Sequence, residues 1–96
     1  MKVIFDDQAL DDLEKIFAWI ARDNRRSAEK LAKRIFDKVE LLELSGFAEM
    51  GRPGLDPGTR ELIEYPYIIV YEIDKDRGRI VVLSVLHGAQ NRKPEE

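Results

Sequence analysis

One change of rhythm constrains this chain more than any other feature. As far as Leu42 the apolar residues recur every three or four positions, and beyond Gly58 they crowd into short β-branched and aromatic runs. The first rhythm belongs to helices with one buried face, the second to strands. Residues 46–58, between them, hold Gly46, Gly51, Gly54 and Gly58 together with Pro53 and Pro57, a composition that interrupts both. Neither an all-helical bundle nor an all-β sandwich suits that order. Helices followed by strands in so short a chain read as an α+β fold.

The elements follow from residue type. Lys2, Val3, Ile4 and Phe5 read as a first strand, and Asp6 or Asp7 as the acidic start of a helix. Leu10, Leu13, Ile16, Phe17 and Ile20 fall on one face of a helix over residues 8–23, with Trp19 beside the stripe. Ser27 is the expected N-cap of a second helix, whose apolar positions are Ala28, Leu31, Ala32, Ile35, Phe36, Val39 and Leu42. Ser45 and Gly46 end it. Strands are expected over residues 59–64, 67–73 and 79–87, the last central because Ile80, Val81, Val82 and Leu83 are all apolar. Tyr65-Pro66 is a turn at which a cis bond is possible. The expected architecture is an N-terminal strand and an αα-hairpin packed on an antiparallel sheet of about four strands. Residues 1–96 read as a single domain, with 89–96 as a flexible tail.

Composition narrows the function. The net charge is −3, with 19 acidic and 16 basic residues, which disfavours strong direct binding to nucleic acid. No Cys is present, so there is no disulfide, thiolate metal site or Cys nucleophile. No apolar run approaches the ~18 residues of a membrane span, and the amino terminus lacks the pattern of a signal peptide. The expected location is cytoplasmic. The glycine-rich nucleotide fingerprints are missing, and a single His leaves no transition-metal set, so no cofactor and no metal are expected.

Few residues are suited to chemistry. His87 carries the one imidazole of the chain and could move a proton, although a strand-end His more often just bonds its neighbours. Tyr67 and Tyr71 share strand parity and point to one face with Ile69. Arg22, Arg25, Arg26, Lys30, Lys33 and Arg34 gather positive charge near the helical turn, interleaved with Asp23, Glu29 and Asp37 as on a solvated face. The acidic group Asp6, Asp7, Asp11, Asp12 and Glu14 reads as helix capping plus a solvated face. The Gly51-Arg52-Pro53-Gly54 turn could bring backbone amides to a phosphate, a weak signal alone.

Taken in order, Gly51-Arg52-Pro53-Gly54, Gly58-Thr59-Arg60-Glu61-Leu62, Tyr67-Ile68-Ile69-Val70-Tyr71 and Val85-Leu86-His87-Gly88-Ala89-Gln90 resemble the RelE/ParE superfamily of toxins. Ala9, Leu10, Asp12 and Leu13 in the first helix are also similar. The resemblance spans nearly the whole chain. It implies the toxin of a type II toxin–antitoxin system, neutralised by direct binding of a cognate antitoxin. RelE-like members are ribosome-dependent mRNA endoribonucleases, and ParE-like members poison DNA gyrase and block replication. The nucleases commonly carry an Arg after the Tyr that opens the central strand; here that residue is Ile68. They also favour basic residues on the preceding strand, where this chain has Glu61 and Glu64 beside Arg60.

The resemblance therefore implies a ParE-like gyrase inhibitor without a catalytic site. Arg52, Arg60, His87, Gln90 and Arg92 are the expected target-binding residues. Trp19 is the expected antitoxin anchor, since Trp is enriched at interface hot spots. If the chain were instead a nuclease acting on ribosome-bound mRNA, Arg60, His87 and Tyr67 would be its catalytic set. A third reading is an inactive toxin that only binds its antitoxin.

Overall fold

The two rhythms of the sequence become two layers. The computed structural model describes residues 1–88. Its chain order is β1 (Lys2–Phe5), α1 (Asp7–Ala21), α2 (Arg25–Glu40), a 3₁₀ turn (Leu41–Glu43), β2 (Arg52–Pro53), β3 (Thr59–Glu64), β4 (Tyr67–Asp74) and β5 (Arg79–His87). Asp6 is the N-cap of α1 in extended backbone but makes no side-chain cap hydrogen bond, so its charge, not its side-chain bonding, suits this end. The α1 helix stops at Ala21, short of the expected end at Asp23. The amides of Asp23 and Asn24 both turn back to the Ile20 carbonyl, closing its last turn.

Asn24, not Ser27, caps α2. Its side chain accepts a hydrogen bond from the Ser27 amide at 3.0 Å, so the helix begins at Arg25 and Ser27 lies inside the first turn. Asn satisfies an orphan amide as well as Ser does, and its position lets the hairpin turn after a single short break.

The sheet has five strands in the order β1-β5-β4-β3-β2, one more than expected. The additional strand is β2, two residues inside the Gly/Pro-rich segment that pair antiparallel with Glu61 and Arg60. Pro53 is accommodated there because an edge strand need not donate on both sides. The sheet is also mixed rather than purely antiparallel, since β1 runs parallel to β5 with Val3 opposite Ile80. A parallel neighbour needs a long crossover, and everything between the first and last strands provides one. The Tyr65–Pro66 peptide is cis.

A bulge interrupts β5. Val70 pairs with Ser84 while Tyr71 pairs with Val82, which leaves Leu83 as an extra residue. Before it, Ile80 and Val82 face the helices. After it, Val85 and His87 do, because one added residue reverses the alternation. The core lies between α1, α2 and this face. Ile35, Val39 and Leu42 from the helical segment meet Ile69, Tyr71, Ile80 and Val82, all essentially inaccessible. Each contributes roughly 1.5–3 kcal/mol of burial.

Candidate functional site

At one end of the sheet the β3–β4 turn meets the carboxyl end of β5. The Gly88 amide donates to the Pro66 carbonyl at 2.7 Å, which fixes the two segments together. Tyr67 and His87 stand directly opposite in the β4–β5 register. Their rings meet edge to face, 5.3 Å apart at 82°. The bulge is what makes this possible, because it turns His87 onto the same face as Tyr67.

The pair forms a wall shared by two clefts. The cleft on the helix side, about 350 Å³, is completed from α1 by Asp12, Lys15, Ile16 and Trp19. These residues are spaced three and four apart, so one helix face presents them all. The outer cleft, about 370 Å³, is completed by Ile63, Tyr65, Pro66, Ile68 and Gly88. Trp19 is 67% exposed and Tyr65 82%, unusual for rings this large in a well-packed fold.

The charged side chains at these clefts are Asp12 and Lys15 of α1, with Arg34 reaching the Tyr65 carbonyl from α2. Asp12 accepts from the Val85 amide at 2.9 Å and so ties α1 to β5 just past the bulge. Lys15 pairs with Asp11 at 2.9 Å, and that hydrogen bond together with the carboxylate's charge holds its ammonium above its usual pKa. The Arg22 guanidinium lies 5.3 Å over the Trp19 ring, a cation–π contact at the rim.

Arg60 stands elsewhere. It pairs with Tyr71, whereas His87 pairs with Tyr67, four residues away along β4. That is about 13 Å along the strand, before the sideways offset of β3 from β5. Its Nη1 donates to the Gly51 carbonyl at 2.7 Å and the Glu49 carbonyl at 3.2 Å. The Tyr71 hydroxyl donates to the Ala48 carbonyl at 2.8 Å and accepts from the Gly51 amide at 3.0 Å. Burial pushes the Tyr71 phenol above its ordinary value of 10.0, against the opposing hydrogen bond from that amide. Arg52 is exposed on β2 and pairs at 3.0 Å with Glu61, a carboxylate only 3% accessible. The backbone amides of the Gly51–Gly54 turn are likewise engaged, Gly51 with Tyr71 and Gly54 with the Thr59 carbonyl.

The fold thus gathers Trp19, Tyr67 and His87 at one end and places Arg52 and Arg60 at the other. Gln90 and Arg92 lie outside the described residues. Asp12 and Lys15 join the site without having been singled out for it, although their spacing with Trp19 was visible in the sequence. In the basic group, Arg25 pairs with Glu29, Lys33 with Asp37, and Arg34 with Glu64 and the Tyr65 carbonyl. Arg25 and Lys33 are thus balanced along α2, and Arg34 is balanced from β3. No group of acidic residues or His that could hold a metal occurs among the described residues, and no helix there is long and apolar enough to cross a membrane.

A helical hairpin on one face of a five-stranded sheet, with a ring-lined cleft at the sheet end, defines a RelE/ParE-type toxin fold. The family model described as the ParE toxin of the type II toxin–antitoxin system parDE matches residues 3–92, and the chain belongs to that family. The chromosomal ParDE system of P. aeruginosa has the same fold, with a TM-score of 0.76, 22% identity, and coverage of 91% of this chain and 95% of that one. The isolated E. coli RelE toxin aligns with a TM-score of 0.59 and 23% identity over 94% of this chain and 86% of its own. The RelBE toxin–antitoxin complex of Mycobacterium tuberculosis aligns with a TM-score of 0.58 and 24% identity over 90% and 95%. No curated protein matches the sequence closely.

Proposed function

We propose that this toxin arrests growth by binding DNA gyrase, and that a cognate antitoxin neutralises it by direct contact. The observation that carries the first part is Ile68. It is 7% exposed and lines the outer cleft, beside the rings that form its wall. A ribonuclease needs a cation close to the developing phosphorane charge. Here the corresponding wall is Ile63, Pro66 and Ile68, while Arg60 is engaged about 13 Å along the sheet. An apolar, aromatic-rimmed cleft suits a protein surface better than a phosphodiester.

The antitoxin reading draws on family membership and on a groove between the helices. Leu13, Phe17, Leu31, Ala32 and Phe36 line a groove of about 260 Å³ there, with almost wholly apolar walls. An amphipathic segment of a partner fits such a groove.

The test is a supercoiling assay with purified toxin, gyrase, ATP and plasmid. Loss of supercoiling with accumulation of cleaved DNA is the expected result. Intact supercoiling with a folded, growth-arresting protein would sink the gyrase reading. The Tyr67–His87 contact keeps a second reading in view, a ribosome-dependent ribonuclease in which these two groups move protons. Messenger RNA that stays intact on ribosomes, with wild type and His87→Ala alike, would remove it.

A further inference from the structure

The last strand outruns its neighbour. β1 pairs with β5 as far as Phe5 and Val82, and the chain then turns away into α1. β5 continues to His87, so past Val82 it has β4 on one side and, among the described residues, no strand on the other. The Gly88 amide turns toward β4, to the Pro66 carbonyl. Backbone groups alternate along a strand, so the Val85 amide turns to the strandless side. Val85 is only 3% exposed. A buried amide without an acceptor is destabilising, so a side chain must supply what the missing strand does not.

Asp12 of α1 supplies it. Its Oδ2 accepts the Val85 amide at 2.9 Å, and its Oδ1 accepts from Gln8 Nε2 at 2.8 Å, one turn back on the same helix. The first bond fixes where α1 crosses β5, and the second holds the carboxylate that makes it. Apolar contact does not do this alone. Leu13 and Ile16 pack α1 against the core, but burial is non-directional and leaves a helix room to slide or roll. A hydrogen bond sets a length and an angle.

What the bond sets is the helix-side cleft. Lys15 and Trp19 follow Asp12 on one face of α1, with Trp19 two turns on, about 10 Å along the axis. Val85 and His87 share a face of β5, and both line the cleft with Tyr67. Asp12 and Val85 thus join its two walls, one carrying Trp19 and the other the His87–Tyr67 pair. We infer that Asp12 is a positioning residue for target recognition, an inference that rests on the gyrase reading above. It acts through Val85, holding the Trp19 face of α1 at a fixed separation from His87.

The experiment compares full-length wild-type toxin with Asp12→Ala, Asp12→Asn and Asp12→Glu. Gyrase inhibition and growth arrest give activity, and urea unfolding gives the folded fraction. Exchange of the Val85 amide reports the bond, and emission from Trp19, the one Trp of the chain, reports the cleft. At equal folded fraction, Asp12→Ala is expected to need about tenfold or more toxin for the same inhibition. Its Val85 amide should exchange about tenfold faster or more, and its Trp19 emission should shift. Asn offers an acceptor at the same reach, so Asp12→Asn should rescue inhibition to within about threefold of wild type. Asp12→Glu keeps charge and bond but lengthens the link by a methylene. It is expected to unfold like wild type and to inhibit about threefold or more less well, a loss that a purely structural bond would not produce. Folded Asp12→Ala that inhibits like wild type overturns the inference, and so does Asp12→Asn as weak as Asp12→Ala. If Asp12→Ala does not fold, Asp12→Glu decides, and full inhibition by it overturns the inference. Wild type that leaves gyrase untouched overturns the gyrase reading instead, and the same ranking in growth arrest then decides the role of Asp12.

Discussion

The two ends of the sheet use the same material to opposite purpose. Each has a tyrosine of β4 on the helix-facing side, Tyr71 at one end and Tyr67 at the other. At the Tyr71 end the Tyr71 hydroxyl and the Arg60 guanidinium are spent on bonds within the molecule. The hydroxyl serves Ala48 and Gly51 at once, and Arg60 clamps the Gly51 carbonyl from β3. That end holds a loop in shape. At the Tyr67 end the ring meets His87 and borders two clefts, with Trp19 and Tyr65 open to solvent. Side chains whose hydrogen bonds close within the molecule maintain the fold, while large rings left uncovered are available to a partner. The contrast matches the proposal above, with stability served at one end and recognition proposed at the other.

The largest blow to that division falls at Tyr71. Tyr71→Ala is expected to cost about 3–5 kcal/mol in urea unfolding, since the ring is wholly buried. Tyr71→Phe is expected to cost about 1–3 kcal/mol, because the buried Gly51 amide loses its acceptor. The phenol also sets a pH limit. Its folded pKa is raised, so above pH 10.0 the unfolded chain loses the proton first, and stability falls as pH rises toward the folded value. Tyr71→Phe should flatten that alkaline decline. If the decline is unchanged in the variant, the phenol is not its source.

Gly51→Ala comes next. A Cβ there would stand 2.7 Å from the Glu61 carbonyl oxygen and 2.7 Å from the Tyr71 hydroxyl. The strand and the ring must both move, at a cost of about 1–3 kcal/mol in the same unfolding measurement. A variant as stable as wild type would show that this loop is not clamped.

Much of this was legible in the sequence, for physical reasons. The helical stripes and the β-branched runs mark their elements because burial imposes the period. Residues 59–64 and 79–87 become strands as expected. Three features were not legible. β2 is too short to carry a pattern and exists only because Arg52 and Pro53 are held against β3. The choice of Asn24 over Ser27 as cap depends on where the hairpin turns, not on propensity, which the two share. The bulge at Leu83 falls within an unbroken apolar run, where no alternation exists to be broken. Parity from Ile80 alone would turn His87 away from Tyr67, so the site's central contact depends on the one irregularity that composition hides. By contrast Asp12, Lys15 and Trp19 were readable as a single helix face, and their common purpose appears only once β5 is placed beneath them.

Arg60 lies between the two classes. Removing its guanidinium in Arg60→Ala should cost about 1–2 kcal/mol, because the exposed Glu49 carbonyl and the part-buried Gly51 carbonyl lose a charged donor. Growth arrest should fall only as far as the folded population does, and return at lower temperature. Arrest lost in a fully folded Arg60→Ala protein would move Arg60 into the recognition class.

The smallest effect on stability is expected at the open end, and there it is most informative. Trp19→Ala and His87→Ala remove exposed side chains with one ring contact each described above, so each should change unfolding free energy by only about 0.5 kcal/mol. If this end recognises partners, the same variants should differ from wild type in binding and not in folding. His87→Ala is expected to lose growth arrest and gyrase poisoning. Trp19→Ala is expected to bind the antitoxin more weakly, with about 2 kcal/mol lost if the ring is a hot spot. Running unfolding, arrest and antitoxin titration on one pair of proteins separates the outcomes. Lost function at unchanged stability sharpens the division between the ends. Unchanged function in both variants would break it, and would leave the clefts around Tyr67 as a consequence of the fold alone.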